Sequence, residues 1–153
     1  MRRWLLLLCG LLLVCWLSPE QGADVGELQP VELLQVYRKG DKVIMSTDRG
    51  DVGTGTTLKA AWKNLKETTP GAIFLETADY LLLTIETEEM LSELSRLLRP
   101  AAEVCLVERP VNEQDAAAWL AAHPPGVSLR SVRYDEKPVP FLCLTEGRFT
   151  IAE

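Results

Sequence analysis

The sequence predicts an α+β fold: a mixed β-sheet with about three packed helices and a C-terminal β-hairpin. Three observations carry this expectation. Residues 80–85 and 104–107 are apolar on both faces, as strands covered from both sides are. Other segments carry apolar residues at helical spacing and are closed by proline or glycine. The final segment changes character, with two strand-like pieces joined by Glu146 and Gly147.

The elements follow in order. Residues 31–39 alternate, but the apolar positions slip from Val31 and Leu33 to Leu34 and Val36, which reads as a strand with a bulge or bend. Gly40 and Asp41 link it to a second strand over 42–47, forming a hairpin. Residues 48–55 contain Gly50, Gly53 and Gly55 and read as a glycine-rich turn. Thr56 and Thr57 open a helix in which Leu58, Ala61, Trp62 and Leu65 share a face, with Trp62 expected in the core. Pro70 and Gly71 stop it. Residues 73–75 read as a short strand and 80–85 as a central one.

Thr87 suits the N-cap of a second helix, with Glu88 and Glu89 in its first turn and Met90, Leu91, Leu94, Leu97 and Leu98 as its buried stripe. A strand at 104–107 follows. Asn112 caps a third helix whose inner side is marked by Ala116, Trp119, Leu120 and His123, and Pro124, Pro125 and Gly126 end it. Residues 127–134 read as a strand, and 140–145 with 148–152 as the closing hairpin. There is no internal repeat. The expected organisation is a leader or anchor over 1–23 and one α+β domain over 24–153.

The leader carries the clearest signal in the chain. Arg2 and Arg3 precede 14 residues, 4–17, in which Gly10 is the only break from apolar character, and Pro19 and Glu20 end the run. A stretch of this length is short for spanning ~30 Å of hydrocarbon and has the proportions of a secretory signal. The expected location is therefore extracytoplasmic, either secreted or anchored at the outer face of the cytoplasmic membrane. Ala23 is a cleavage candidate and Cys15 a candidate lipid acceptor, although Val14 stands where a lipoprotein signal has a small residue. Without residues 1–23 the chain keeps 14 basic and 21 acidic side chains. That balance argues against a nucleic-acid partner held through phosphates.

Chemistry-bearing motifs are few. Gly50, Gly53 and Gly55 join a strand to a helix, but Thr56 stands where a phosphate loop needs its lysine, so no nucleotide cofactor is expected. There is no Cys-x-x-Cys, no histidine pair and no calcium-loop spacing, so no metal is expected either. Cysteine catalysis would have to join Cys143 or Cys105 to the single histidine, His123. Both cysteines lie in apolar runs, where burial quenches a thiol, and both are expected as free buried thiols rather than a disulfide. Arg49, Gly50 and Asp51 spell the three-residue adhesion sequence, which reads as turn chemistry.

Several features in order resemble the N-terminal domain of the Ger(x)C family of spore-germination lipoproteins. Cys15 and Trp16 match the Cys-Trp that closes the family's leader, and Gly53, Gly55, Thr57 and Leu58 match its glycine-rich lead into an amphipathic helix. The strand at 80–85, Arg96 and Arg99 near a helix end, the strand at 104–107 and the alanine-containing helix around 116–122 continue the match. Three departures accompany it: Cys15 lacks a small residue before it, Leu17, Ser18, Pro19 and Glu20 replace the acidic and arginine-rich segment usual after Cys-Trp, and the family continues into further domains. The resemblance implies a part in germinant-receptor or other membrane-associated assemblies, with no catalytic residue to carry over.

The expected function is therefore an exported, membrane-associated interaction or scaffold domain without catalysis, with a membrane-associated protein as its partner. The segment Arg49, Gly50, Asp51, Gly53, Thr54, Gly55 and Thr56 is its expected contact loop. A small secreted cysteine hydrolase using Cys143 and His123, or a soluble small-ligand carrier, are the alternatives.

Overall fold

The computed structural model describes residues 28–152, with side chains from residue 30 onward. The leader, including Cys15, lies outside the described residues. The strands are β1 (Leu28–Pro30), β2 (Leu33–Lys39), β3 (Lys42–Thr47), β4 (Val52–Gly55), β5 (Ala72–Phe74), β6 (Tyr80–Thr84), β7 (Glu103–Val107), β8 (Phe141–Thr145) and β9 (Arg148–Ala152). The helices are α1 (Leu58–Thr68), α2 (Leu91–Leu94), α3 (Glu113–Ala122) and α4 (Leu129–Asp135).

Seven strands form a mixed sheet in the order β4-β3-β2-β6-β7-β8-β9, while β1 and β5 pair separately and parallel. The middle strands β2, β6, β7 and β8 run parallel, and antiparallel pairing continues to each edge. The α+β class and the C-terminal hairpin are as expected. The hairpin turns on Glu146 and Gly147, both with positive φ, which matches the right-handed twist of the strands it joins.

Alternation along the strands sorts the apolar residues into two cores. On one face Leu34, Val36, Val43, Met45, Leu81, Leu83, Val104 and Leu106 meet Leu58, Ala61 and Leu65 of α1, Leu94 of α2 and Leu129 of α4. On the other, Leu33, Leu82, Cys105, Val107 and Leu142 meet Ala116, Ala117 and Leu120 of α3. Covering both faces explains the apparent slip at the start of β2. Leu33, Leu34, Gln35 and Val36 are all buried, and the register from Leu34↔Thr47 to Lys39↔Lys42 runs without a bulge. The expected bulge is absent because consecutive residues serve two cores.

Thr57 and Asn112 cap α1 and α3, accepting from the amides of Ala60 and Asp115. Three helical expectations change. Thr87 is buried rather than capping: its hydroxyl lies 3.0 Å from the Val36 carbonyl and 2.9 Å from that of Thr84. Residues Ile85–Met90 accordingly wind as a tight 3₁₀ segment, and the α-helix proper is the single turn α2.

Residues 127–134 are not a strand: α4 starts at Leu129 and runs to Asp135, because Ser128 and Ser131 cap each other reciprocally. The amides of Leu129 and Arg130 also donate to the carbonyls of Ala102 and Pro100, at 2.8 and 3.0 Å. Trp62, expected in the core, is half-buried at its margin, with the Lys66 ammonium 5.0 Å from its ring centroid.

Candidate functional site

The expected contact loop is in large part a strand. Only 48–51 turn: the Thr47 amide donates to the Asp51 carbonyl at 3.0 Å, and the Gly50 amide to the Thr47 carbonyl at 2.9 Å. Asp48 Oδ1 accepts from the amides of Glu32 and Leu33, both at 3.0 Å, and thereby anchors the start of β2. Asp51 Oδ2 lies 3.5 Å from the Thr47 hydroxyl. Val52, Gly53, Thr54 and Gly55 form β4.

Gly53 is buried and Gly55 half-buried against α1, while Arg49, Gly50, Thr54 and Thr56 are exposed. A Cβ on Gly53 would sit 2.4 Å from the Ala61 carbonyl oxygen, and one on Gly55 2.4 Å from the Ala61 nitrogen. These glycines are present so that helix and strand can approach closely. The helix also closes the outer side of β4: Asn64 Oδ1 accepts from the Thr54 amide at 2.8 Å, and the Thr68 hydroxyl, which donates to the Asn64 carbonyl at 2.9 Å, lies 3.4 Å from the Val52 carbonyl.

The cysteines and histidine do not assemble. Cys105 belongs to the core under α3. Cys143 lies between Leu142 and Leu144 on β8, whose partners are Ile151 and Phe149. Since Leu142, Ile151 and Phe149 pack toward α3, alternation sends Cys143 to the opposite face. His123, expected on the inner side of α3, is exposed at the helix end. Its ring stacks on Trp119 with centroids 4.5 Å apart, and Nδ1 lies 3.1 Å from the Trp119 carbonyl oxygen.

Both cysteines are free, Cys105 buried and Cys143 half-buried. Burial, with a smaller contribution from Glu103, pushes the Cys105 thiol up to about 12. Among the described residues no group of three or more His, Cys, Asp or Glu is placed to hold a metal ion, and no helix is long and apolar enough to cross a membrane.

A buried polar cluster ties α3 to the sheet. Gln35, fully buried on β2, donates through Nε2 to the Val111 carbonyl at 3.1 Å and to Glu113 Oε1 at 2.7 Å, and accepts from the Val111 amide at 2.9 Å. The Ser46 hydroxyl donates to the same Glu113 oxygen at 2.5 Å. Burial, and then the Glu113 carboxylate, raise the pKa of the nearby Tyr37 hydroxyl. Ser46 is itself buried, so this cluster holds two elements together rather than presenting a hydroxyl to substrate.

The described surface opens between α2 and α4. There a cleft of 360 Å³ has Leu91, Leu129 and Val132 as its apolar floor. Glu88 and Glu89 of the 3₁₀ segment, Arg96 in the turn after α2 and Arg133 on α4 supply charges of both signs, and Ser92 and Ser95 also line the cleft. Glu89 also pairs with Arg38 at 2.9 Å, which fixes that side of the rim to β2. No known protein family matches this chain, nor does any curated protein or solved structure. The cleft must therefore be read from its own chemistry: an apolar strip edged by both signs of charge suits an amphipathic segment of protein.

Sequence reasoning missed this cleft because it placed a strand where α4 lies. The available signal was the Ser128–Ser131 pair ahead of Val132, a short form of the capping pattern.

Proposed function

We propose that the chain is an exported, membrane-associated interaction domain that acts without catalysis, holding a segment of a protein partner in the cleft between α2 and α4. The observation that carries this reading is the cleft itself, with its Leu91, Leu129 and Val132 floor beneath a rim of Glu88, Glu89, Arg96 and Arg133. The separation of Cys143 from His123 by the sheet supports it over a cysteine hydrolase. The open, charged rim supports it over a carrier that encloses a small ligand.

Export is supported by Arg2, Arg3 and the apolar run at 4–17, and Cys15 is the candidate lipid acceptor. The resemblance to Ger(x)C proteins makes subunits of a germinant receptor the first partners to try.

The test combines topology with contact. Protease added outside intact cells should degrade the chain, and the chain should fractionate with membranes. A photo-crosslinking residue replacing Ser92 should then give a discrete adduct, lost on Leu91→Glu with Val132→Glu. The same residue replacing Thr54 should give none. A protected cytosolic chain, or adducts from Thr54 alone, would return the question to compartment or to β4.

A further inference from the structure

The two edges of the sheet are treated differently. The outer side of β4 is covered by α1, whose Asn64 and Thr68 side chains engage its backbone. At the other end, among the described residues, β9 has no such cover. Its pairing with β8 starts at Thr145↔Arg148 beside a two-residue turn and runs without a bulge to Phe141↔Ala152. Pairs adjacent to such a turn alternate between exchanging hydrogen bonds and not. Arg148, Thr150 and Ala152 therefore direct their backbone groups to β8, and Phe149 and Ile151 direct theirs outward.

Among the described residues nothing meets those outward groups, and β9 has neither proline nor bulge; its one charged side chain, Arg148, stands at the turn end of the strand.

We infer that β9 is the site at which a second copy of this chain pairs, antiparallel and two-fold symmetric about Thr150, extending one sheet into the other. Self-complementarity selects this occupant. In that register Phe149 of each copy faces Ile151 of the other, and these are the residues with free backbone groups, so every outward N–H and C=O of the strand's middle finds a partner. Thr150 then meets Thr150 of the second copy in a close, non-hydrogen-bonded pair, an arrangement that favours threonine.

The register also brings the second copy's Phe149 beside Ile151, which is one wall of a largely apolar hollow of 390 Å³ formed with Val127, Pro138, Val139 and Pro140 and edged by Lys137. Because the β4 edge is already occupied, a second copy cannot add head-to-tail there. The assembly closes as a dimer instead of growing as a filament.

This inference deepens the interaction reading by naming one partner, but it uses β9 and the hollow beside it, whose lining residues differ from those of the α2–α4 cleft. The full chain in mild detergent, analysed by sedimentation, should have the mass of a dimer. Thr150→Lys sets two ammonium groups face to face on the two-fold and should give the monomer mass, with an unchanged circular dichroism spectrum. Thr150→Cys should form a covalent dimer on mild oxidation, since the close pair spacing suits a disulfide, while Glu146→Cys should not.

A monomeric wild type, or a dimer that survives Thr150→Lys with no Thr150→Cys cross-link, would overturn the proposal. If the chain is monomeric yet still gives the Ser92 adduct, this inference fails and the cleft reading stands. A dimer that dissociates on Thr150→Lys but gives no Ser92 adduct supports pairing through β9 and removes the cleft reading.

Discussion

Replacing Gly53 by alanine tests the contact on which the first hairpin and α1 depend. The added Cβ would lie 2.4 Å from the Ala61 oxygen, 2.4 Å from the Leu65 Cβ and 2.6 Å from the Leu65 nitrogen. Comfortable separations are about 3.5–4.0 Å, so helix and strand must part by roughly 1 Å. Two of the three obstructing atoms are helix backbone and cannot swing aside. Lifting α1 loosens Leu58, Ala61 and Leu65 from Val43 and Met45 in the same core.

Overpacking of this kind costs about 1–3 kcal/mol, and with backbone as the obstacle the upper end, about 3 kcal/mol, is expected. For a body of this size that lowers Tm by about 10 °C. Gly50→Ala is the control. It meets nothing within 4 Å but carries φ +85°, so it should cost only about 1 kcal/mol through backbone strain. Thermal and urea unfolding followed by circular dichroism measure both. A Gly53→Ala protein within about 0.5 kcal/mol of the parent would refute the close-packing account of β4 and return these glycines to the role of a flexible loop.

Two further outcomes are expected. Gln35→Ala strands the Val111 amide and one side of the Glu113 carboxylate beneath α3, and should cost about 2–4 kcal/mol in urea unfolding; Arg38→Ala, which removes only the solvent-facing pair with Glu89, should cost under about 1 kcal/mol. The Cys105 thiol keeps its proton in the fold up to about 12, whereas the unfolded chain releases it from 9.0 upward, so stability should fall as pH rises through that window by about 1.4 kcal/mol per unit. Cys105→Ala should flatten the decline between pH 9 and 10. The raised Tyr37 and Tyr80 hydroxyls leave a remainder above 10. Urea midpoints at pH 8, 9 and 10 report this, and an equal slope in the variant would contradict it.

Legibility followed the range of the interactions. The caps at Thr57 and Asn112, the central strands and the Glu146–Gly147 hairpin rest on local chemistry, and each could be read from neighbouring residues. The errors arose where a local pattern served a distant partner. Thr87 has the composition of a helix cap, yet its hydroxyl is used by carbonyls of two strands, Val36 within β2 and Thr84 at the end of β6. Val127 and Leu129 imitate strand alternation, while Ser128, Ser131 and the carbonyls of Pro100 and Ala102 make the segment a helix. Gly53 and Gly55 have the look of a loop and are instead the contact surface of a strand. The segment expected as a loop is for this reason largely the strand β4, and the α2–α4 cleft had no sequence counterpart.

The amino-acid order alone determined the class of fold, the sites where most elements begin and end, and the scarcity of reactive side chains, because these depend on periodicity, capping and composition within a few residues. Tertiary structure alone decided which faces Cys105 and Cys143 take, that Gln35 and Glu113 meet, that among the described residues one sheet edge is covered and the other is not, and that α2 and α4 flank a cleft. Each of those depends on strand order and register, which bring together residues far apart along the chain.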